Sequence, residues 1–354
     1  MDRYRRHVNE RFKLNLRDSH ELQAWTVEKP HDFWIDVHAY LQIIPPLPKG
    51  IVKAYDDTKP ISEVPPFFEG YKLNYTENIL SNRRQDATAL IGIREGESLD
   101  GHEKLTWGQL AEKVRETRSA LLRHGIKQGD RVAAWMGNHT YTTILLLAVG
   151  AIGAIFTSVS PDMGVEGTLS RFQQITPSLL FVDSHSIYKG KKTPTEEKLQ
   201  AVFKALHPTP PSVFINPVVE GSSSTFPLLK DFLAKANPKD PLEYSRLPFN
   251  HPMVIVYSSG TSGPPKCIIH QQGNILQFKK IALLHNSLTP SSVVMQYTTT
   301  SWVMFYVLNG HMSSGACAIV YDGSPLHPSP TTILDILARH KHVSPSPRSP
   351  PHLH

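Results

Sequence analysis

The chain has 354 residues, of which 40% are apolar and 19% charged, so it is long enough for two or three structural units and is not disordered throughout. The first 20 and the last 16 residues carry the whole net charge of +6, which leaves residues 21–338 neutral. This distribution argues against a nucleic-acid-binding or membrane-surface protein with a basic body. Two cysteines, Cys267 and Cys317, cannot form a disulfide framework or a four-thiolate metal site.

Targeting and membrane signals are also missing from the sequence. The charged N-terminus has no secretory pattern, and the longest apolar run, residues 144–156, is shorter than the roughly 20 residues that span a bilayer. We therefore expect a soluble, cytoplasmic protein with no membrane span and no nucleic-acid partner.

Residues 1–85 predict an irregular N-terminal unit. It contains several aromatic residues and a proline-rich stretch, residues 44–50, in which proline enforces extended segments and turns. Because so short a unit offers little core of its own, we expect its aromatic side chains to pack against the next domain.

From residue 86 the pattern changes to alternating strands and helices, which predicts an α/β fold with a mostly parallel sheet and flanking helices. The predicted strands are residues 89–93, 131–136, 154–158, 179–183, 213–216, 253–257, 293–298 and 316–321. The predicted helices are residues 106–124, 142–149, 197–206, 228–234, 274–285 and 331–339. The first of these begins at a capping box, Thr106 to Gln109, and ends at Gly125.

The alternation stops after His340. Four prolines in residues 341–354 exclude the strand that should follow the last helix, so we expect a disordered Pro/His/Ser-rich tail. Its histidines are compatible with metal binding, but a flexible tail fixes no ligand geometry, and no metal ligand is assigned.

The strongest chemical signal is the run Val254-Ile-Val-Tyr-Ser-Ser-Gly-Thr-Ser-Gly-Pro-Pro-Lys266. An apolar strand leads into small residues whose backbone N–H groups and hydroxyls are suited to a polyphosphate, and a lysine follows. The spacing does not match the Walker A pattern. The alternative is an ordinary Ser/Gly turn.

This run resembles the phosphate-binding signature of the adenylate-forming superfamily. Segments 32–34, 73–78, 158–162, 171–175, 301–302 and 321–325 are similar to the acetoacetyl-CoA synthetase branch of acyl-CoA synthetases. The resemblance extends over residues 1 to about 340. It implies an acetyl-CoA-synthetase-like N-terminal region at residues 1–85 and an AMP-binding domain at residues 86–340. It also implies that the adenine and ribose contacts, the hinge and the lid domain with its catalytic lysine lie beyond this sequence, which reads as truncated.

The resemblance implies ATP-dependent activation of acetoacetate to acetoacetyl-CoA through an acyl-adenylate, an acid–thiol ligase reaction of lipid metabolism that uses ATP, Mg²⁺ and coenzyme A. It assigns no catalytic residue to this chain, which we therefore expect to be inactive or severely impaired. The ATP phosphates are assigned to Ser258, Ser259, Gly260, Thr261, Ser262, Gly263 and Lys266, the phosphates of coenzyme A to Lys191 and Lys192, and the acyl pocket to Trp302, Val303 and Met304.

Alternatives remain open at the weaker positions. Lys191 and Lys192 are also consistent with a solvated surface cluster, and Trp302 to Met304 with the core of a helix. His251 and His270 are expected to be structural. Relatives carry glycine before the tryptophan, where this chain has Ser301. The alternative is a non-catalytic fragment, or the product of a truncated gene model, that at most binds nucleotide phosphates or a partner chain.

Overall fold

The computed structural model describes residues 1–63, 65–207, 212–258 and 263–341. The helices are α1 Asp2–Phe12, α2 Ser19–Glu28, α3 Pro30–Tyr40, α4 Tyr75–Leu80, α5 Trp107–Arg123, α6 Thr140–Ile152, α7 Val165–Ile175, α8 Glu196–Ala205, α9 Leu229–Leu233, α10 Asn274–Lys280, α11 Val303–His311 and α12 Thr332–Arg339. The strands are β1 Lys72–Leu73, β2 Thr88–Arg94, β3 Glu103–Thr106, β4 Arg131–Trp135, β5 Ile155–Val159, β6 Leu179–Asp183, β7 His185–Tyr188, β8 Lys191–Pro194, β9 Val213–Asn216, β10 Leu247–Pro248, β11 Pro252–Tyr257, β12 Cys267–Gln271, β13 Val293–Met295 and β14 Cys317–Asp322.

Most of the strands belong to two sheets. Sheet one has the order β12-β11-β5-β4-β6-β9, in which all neighbours are parallel except the antiparallel edge strand β12. Sheet two has the order β13-β14-β2-β3, in which only β3 is antiparallel. The predicted α/β class with mostly parallel strands is confirmed.

Helices lie between the two sheets and on their outer faces. One apolar cluster joins a face of each sheet to α5, α6, α10 and α11, and α6 is apolar on nearly every side because both neighbours bury it. A second cluster packs the other face of sheet one on α7 and α8, and a third packs sheet two on α12. The layers are therefore helix, sheet, helix, sheet, helix.

The N-terminal region differs from the prediction, because residues 1–80 contain four helices. Two residues favour the start of a helix here. The Asp18 side chain accepts hydrogen bonds from the N–H groups of His20 and Glu21 at the start of α2, and Pro30 occupies the first position of α3. The aromatic side chains do pack on the α/β body, with Phe67 stacked on Phe249 at 5.5 Å between ring centroids.

Other elements lie close to their predicted places. The capping box at Thr106 and Gln109 is present, and Gly125 follows α5 with a φ of +81°. A π-helical turn, Ile281–His285, extends α10 to the predicted end. The predictions missed α7, α11, the β7–β8 hairpin and β12, which follows the glycine-rich run directly. The predicted tail lies outside the described residues, apart from Lys341.

Candidate active-site cleft

The carboxyl ends of parallel strands from both sheets line one cleft. Loops at these ends carry the ligand-binding groups of open α/β sheets, so this is the first place to seek a functional site. The lining residues are Gly137, Asn138, Ser160, Pro161, Asp162, Ser186, Ile187, Tyr188, Tyr297, Thr298, Thr299, Tyr321, Asp322 and Gly323. They follow or end β4, β5, β6, β13 and β14, so the site is built jointly by the two sheets.

A buried carboxylate supports the cleft from the end of β6. Asp183 accepts hydrogen bonds from the Gly137 N–H and from Asn216 Nδ2, each at 2.7 Å. His139 Nε2 lies 3.0 Å from both carboxylate oxygens. Burial lowers the pKa of His139. The charge of Asp183 and its hydrogen bond together raise this pKa by more than burial lowers it, so the net shift is upward. Asp183 and His139 therefore form a buried ion pair that fixes the ends of β4 and β6.

Sheet two contributes a second carboxylate, Asp322, at the end of β14. A Cβ atom at residue 137 would lie 2.3 Å from Asp322 Oδ1, so this contact between the sheets requires glycine at that position. Burial raises the pKa of Asp322 to about 6, the charge of His139 opposes that shift, and the charge of Asp183 adds to it. Within the described residues the carboxylate accepts no hydrogen bond, and it lies in the wall of the cleft, open to a ligand donor.

The basic turn predicted at residues 188–192 is the tip of the β7–β8 hairpin. Tyr188 pairs with Lys191, which leaves a two-residue turn in which Lys189 and Gly190 both have positive φ, as a type I′ turn requires. The buried Glu95 carboxylate accepts hydrogen bonds from both turn N–H groups, at 3.0 Å for Lys189. It also accepts one from the Ser324 N–H at 2.6 Å, so a single carboxylate fixes the hairpin on sheet two.

The hairpin places charge and aromatic surface at the rim of the cleft. Lys191 and Lys192 are exposed, whereas Tyr188 and Tyr297 line the cleft with 48% and 37% of their surfaces accessible. The buried Asn138 donates from Nδ2 to the Thr298 carbonyl at 3.2 Å, and its Oδ1 has no partner among the described residues. Aromatic faces, unpaired acceptors and lysines thus lie next to one another.

The glycine-rich run connects β11 to β12. Its first and last polar residues close the base of the loop: the Ser258 N–H donates to the Lys266 carbonyl, and the Lys266 N–H donates to Ser258 Oγ, both at 3.0 Å. Gly263 and the Lys266 side chain are exposed. Ser259, Gly260, Thr261 and Ser262 lie outside the described residues.

The predicted acyl-pocket residues begin α11. Trp302 is the N-cap residue and its side chain is 61% exposed, while Val303 and Met304 are half-buried. They lie three to five residues after Thr299 of the cleft along the chain, but they do not line the cleft itself. Val303 packs against the apolar core from its edge, and Phe305 is the first residue of the helix that is buried within it.

The remaining candidate side chains have structural contacts. His251 Nε2 lies 3.0 Å from the Gly153 carbonyl, and His270 contacts Asn274 at 3.1 Å, while burial lowers the pKa of His270. The Cys267 thiol lies 3.5 Å from Gln174 Oε1, and burial raises its pKa, which disfavours a thiolate.

Sequence reasoning missed the acidic residues of the site. Asp322 was part of a segment that carried the family resemblance, and it follows a predicted strand, which was a usable signal. Asp183 ends a predicted strand and Glu95 follows one, but neither belonged to a segment that carried the resemblance. The partners of Glu95, His139 and Asp183 are distant in sequence, so their contacts were not predictable. No group of three metal-ligating side chains, and no helix long and apolar enough to cross a membrane, occurs in the described part of the chain.

A family model described as AMP-binding enzyme matches residues 78–343. Acetoacetyl-CoA synthetase of Danio rerio is 40% identical over 349 residues, which cover 96% of this chain and 51% of that protein. Malonamoyl-CoA synthetase of Penicillium aethiopicum is 33% identical and covers 92% of this chain and 46% of its own length.

The fold has a close match among solved structures. Acetoacetyl-CoA synthetase from Streptomyces lividans superposes with a TM-score of 0.85 at 29% identity, over 96% of this chain and 51% of that one. The chain therefore spans about half the length of the relatives that it matches.

Proposed function

Because this chain belongs to the AMP-binding enzyme family, we propose that it carries the part of an acyl-CoA synthetase that holds ATP, a short acyl acid and coenzyme A. The acid that we propose is acetoacetate, after the names of relatives such as the one that is 40% identical. Malonamate, in the name of a further relative, is also a short carboxylate with a second carbonyl group. The proposed substrate class is therefore short acids of this kind.

The proposed reaction has two displacements. A carboxylate oxygen of the acid attacks the α-phosphorus of ATP, the bond to the β-phosphate breaks, and pyrophosphate leaves. The sulfur of coenzyme A then attacks the acyl carbon, AMP leaves, and the thiol proton goes to solvent. Both steps bring anions together, so the protein must offer donors and positive charge to phosphate groups.

The cleft at the carboxyl ends of the two sheets is the observation that carries the proposal. An adenine ring stacks on Tyr188 or Tyr297, and its amino group donates to Asp322 or to Asn138 Oδ1. Lys191 and Lys192 at the rim then contact the phosphates. The adenine nucleotide of coenzyme A has all three features: ring, amino group and phosphates.

The ATP phosphates bind at the loop between β11 and β12. Ser258 and Lys266 hold its base together, and the Lys266 side chain is exposed there for a phosphate contact. Magnesium enters as MgATP, since Mg²⁺ is usually held by substrate phosphates together with one or two carboxylates. Trp302, Val303 and Met304 face the acid.

A second candidate function is favoured by the 61% exposure of Trp302. An acyl pocket excludes water from a reactive adenylate, and this wall of the pocket is open within the described residues. We propose that the chain by itself binds coenzyme A and ATP without forming the acetoacetyl-adenylate and hence without forming acetoacetyl-CoA.

Calorimetric titration tests the coenzyme A site. Coenzyme A should bind the chain more tightly than its 3′-dephospho form, and the double variant K191A/K192A should weaken binding of coenzyme A about tenfold and remove the difference between the two ligands. The matched control is K204A/K230A, which removes two exposed lysines outside the cleft lining and should bind like the unchanged chain. Equal binding of both ligands by the unchanged chain would refute the assignment.

Pyrophosphate exchange separates the two candidates. The second candidate predicts no acetoacetate-dependent exchange of labelled pyrophosphate into ATP by the chain alone, although calorimetry detects coenzyme A. Exchange that depends on acetoacetate would instead establish adenylate formation by these residues.

A further inference from the structure

The segment between β13 and α11 crosses the carboxyl ends of β4 and β5, and side chains fasten it there. Thr300 Oγ1 donates to the Met136 carbonyl at 2.7 Å, and Ser158 Oγ donates to the Thr300 carbonyl at 2.6 Å. Asn138 Nδ2 donates to the Thr298 carbonyl at 3.2 Å. These bonds connect a segment that begins in sheet two to strands of sheet one.

A fourth bond of this set is made by Ser301. Its Oγ accepts the Ser160 N–H at 2.7 Å. The Ser160 carbonyl in turn accepts Trp135 Nε1 and the Met163 N–H, both at 3.0 Å, so both backbone groups of Ser160 are paired. Ser301 is also the residue next to Trp302, whose N–H donates within the same turn.

We infer that Ser301 is a positioning residue that couples the Ser160–Asp162 loop of the cleft to Trp302 at the start of α11. The serine side chain is short and its Oγ is bonded directly to Cβ, so Oγ cannot move far without the backbone. A shift of Ser160 therefore moves the backbone of Ser301 and with it Trp302. Without the hydroxyl, the Ser160 N–H has no partner on this segment, and the loop loses its direct bond to the residue next to Trp302, although the three bonds at Thr298 and Thr300 remain. The assignment of the Ser160–Asp162 loop to coenzyme A and of Trp302 to the acyl group rests on the proposed function. The coupling between the loop and Trp302 does not depend on it.

Amide exchange tests the bond. In S301A the Ser160 amide should exchange about fivefold faster than in the unchanged chain, the cost of one neutral hydrogen bond. S301T keeps the hydroxyl and should restore the slower rate. T299A is the matched control, since Thr299 Oγ1 has no hydrogen bond among the described residues and the amide should exchange as in the unchanged chain. Unchanged exchange in S301A, or equal acceleration in T299A, would overturn the inference.

Indole accessibility tests the coupling without any ligand. Trp302 is 61% exposed, Trp34 is half-buried, and Trp25, Trp107 and Trp135 are buried. Acrylamide quenching is therefore measured in a W34F background, where it reports mainly on Trp302, and W302F identifies the Trp302 signal. P161G loosens the Ser160–Asp162 loop and should raise the quenching constant about 1.5-fold. In the S301A protein, P161G should not raise the quenching constant any further.

The double-mutant comparison decides the outcome. The inference would be overturned if P161G raised the quenching constant equally with Ser301 and with S301A, or did not raise it when Ser301 is present. Either result would show that the Ser301 hydroxyl does not couple the loop to Trp302. Calorimetry with coenzyme A is run separately on these variants. Failure of coenzyme A to bind would remove the proposed function and leave the coupling result standing.

Discussion

Two hairpins carry the lysines of the proposed phosphate sites, and they are held in different ways. The β7–β8 hairpin has a two-residue turn, Lys189-Gly190, whose N–H groups both point at the buried Glu95 carboxylate. The β11–β12 hairpin has a longer connection, and its described base is closed by two hydrogen bonds between Ser258 and Lys266 at the protein surface.

Under the proposed function, the two hairpins meet two kinds of phosphate. A turn fixed by a buried carboxylate holds lysines at a set distance from the cleft, which fits a phosphate that takes no part in the reaction. On the proposed function, the β11–β12 hairpin instead receives the phosphates of ATP, two of which leave as pyrophosphate. If this comparison is right, removal of the anchor should cost far more in the first hairpin than in the second.

The largest expected effect comes from Glu95→Ala. Three backbone N–H groups lose their acceptor, and since the turn N–H groups reach water after rearrangement, we expect a loss of about 3 kcal/mol in the free energy of unfolding. Glu95→Gln should lose about half as much, because one carbonyl oxygen remains. Urea unfolding measures both values.

The matched control for Glu95 is Glu97→Ala. Glu97 is exposed and pairs with Arg94 at 3.3 Å, so its removal should cost less than about 0.5 kcal/mol. Coenzyme A affinity should fall with Glu95→Ala and stay unchanged with the control. A Glu95→Ala protein as stable as the Glu97→Ala protein would break the comparison, since the hairpin would then need no anchor.

The second effect concerns Asp322, which lies on the same sheet as Glu95. The pKa of Asp322 is about 6 in the folded chain, above the ordinary value of 3.8. A raised pKa means that the stability tied to this group is present below pH 4 and is lost as the pH rises through 6. Asp322→Asn should therefore stabilise the chain by about 3 kcal/mol at pH 7 and leave it nearly unchanged at pH 4.

Urea unfolding between pH 4 and pH 7.5 checks this dependence. The difference between the Asp322→Asn protein and the unchanged chain should grow between pH 4 and 6 and then level off. Asp162→Asn is the control, because Asp162 is an exposed carboxylate of the same cleft and should give no such trend. A difference that shrinks with rising pH would contradict the assigned burial of Asp322.

The sequence was sufficient for the fold class and the family, because both depend on local patterns. The predicted strand bounds of β6 and β9 match the structure, as does the capping box of α5. Periodicity says that a strand is buried but not which strand lies beside it, so the division into two sheets was not predictable. The N-terminal helices were missed because the prolines and aromatic residues of this region favoured an irregular unit. The helix N-cap at Asp18 was a weaker signal than these residues.

The site was predictable only where a motif is continuous along the chain. The loop beginning at Ser258 was found in this way. Glu95 was not, because its three hydrogen-bond partners are 94, 95 and 229 residues away in sequence. A lone glutamate after a strand carries no local pattern, and its importance comes from the topology that brings β2, β7 and β14 together.

The smallest effect tests the second hairpin. Ser258→Ala removes the Oγ that accepts the Lys266 N–H at 3.0 Å, but this N–H lies at an exposed residue, where water replaces the lost acceptor. We expect a loss of about 1 kcal/mol in the free energy of unfolding and faster exchange of the Lys266 amide, with Ser258→Thr as the control that keeps the hydroxyl. The informative quantity is the ratio of the free-energy loss in Ser258→Ala to the free-energy loss in Glu95→Ala. A loss as large as that of Glu95→Ala would mean that both hairpins are anchored equally, and the contrast between a buried and a surface anchor would have to be abandoned.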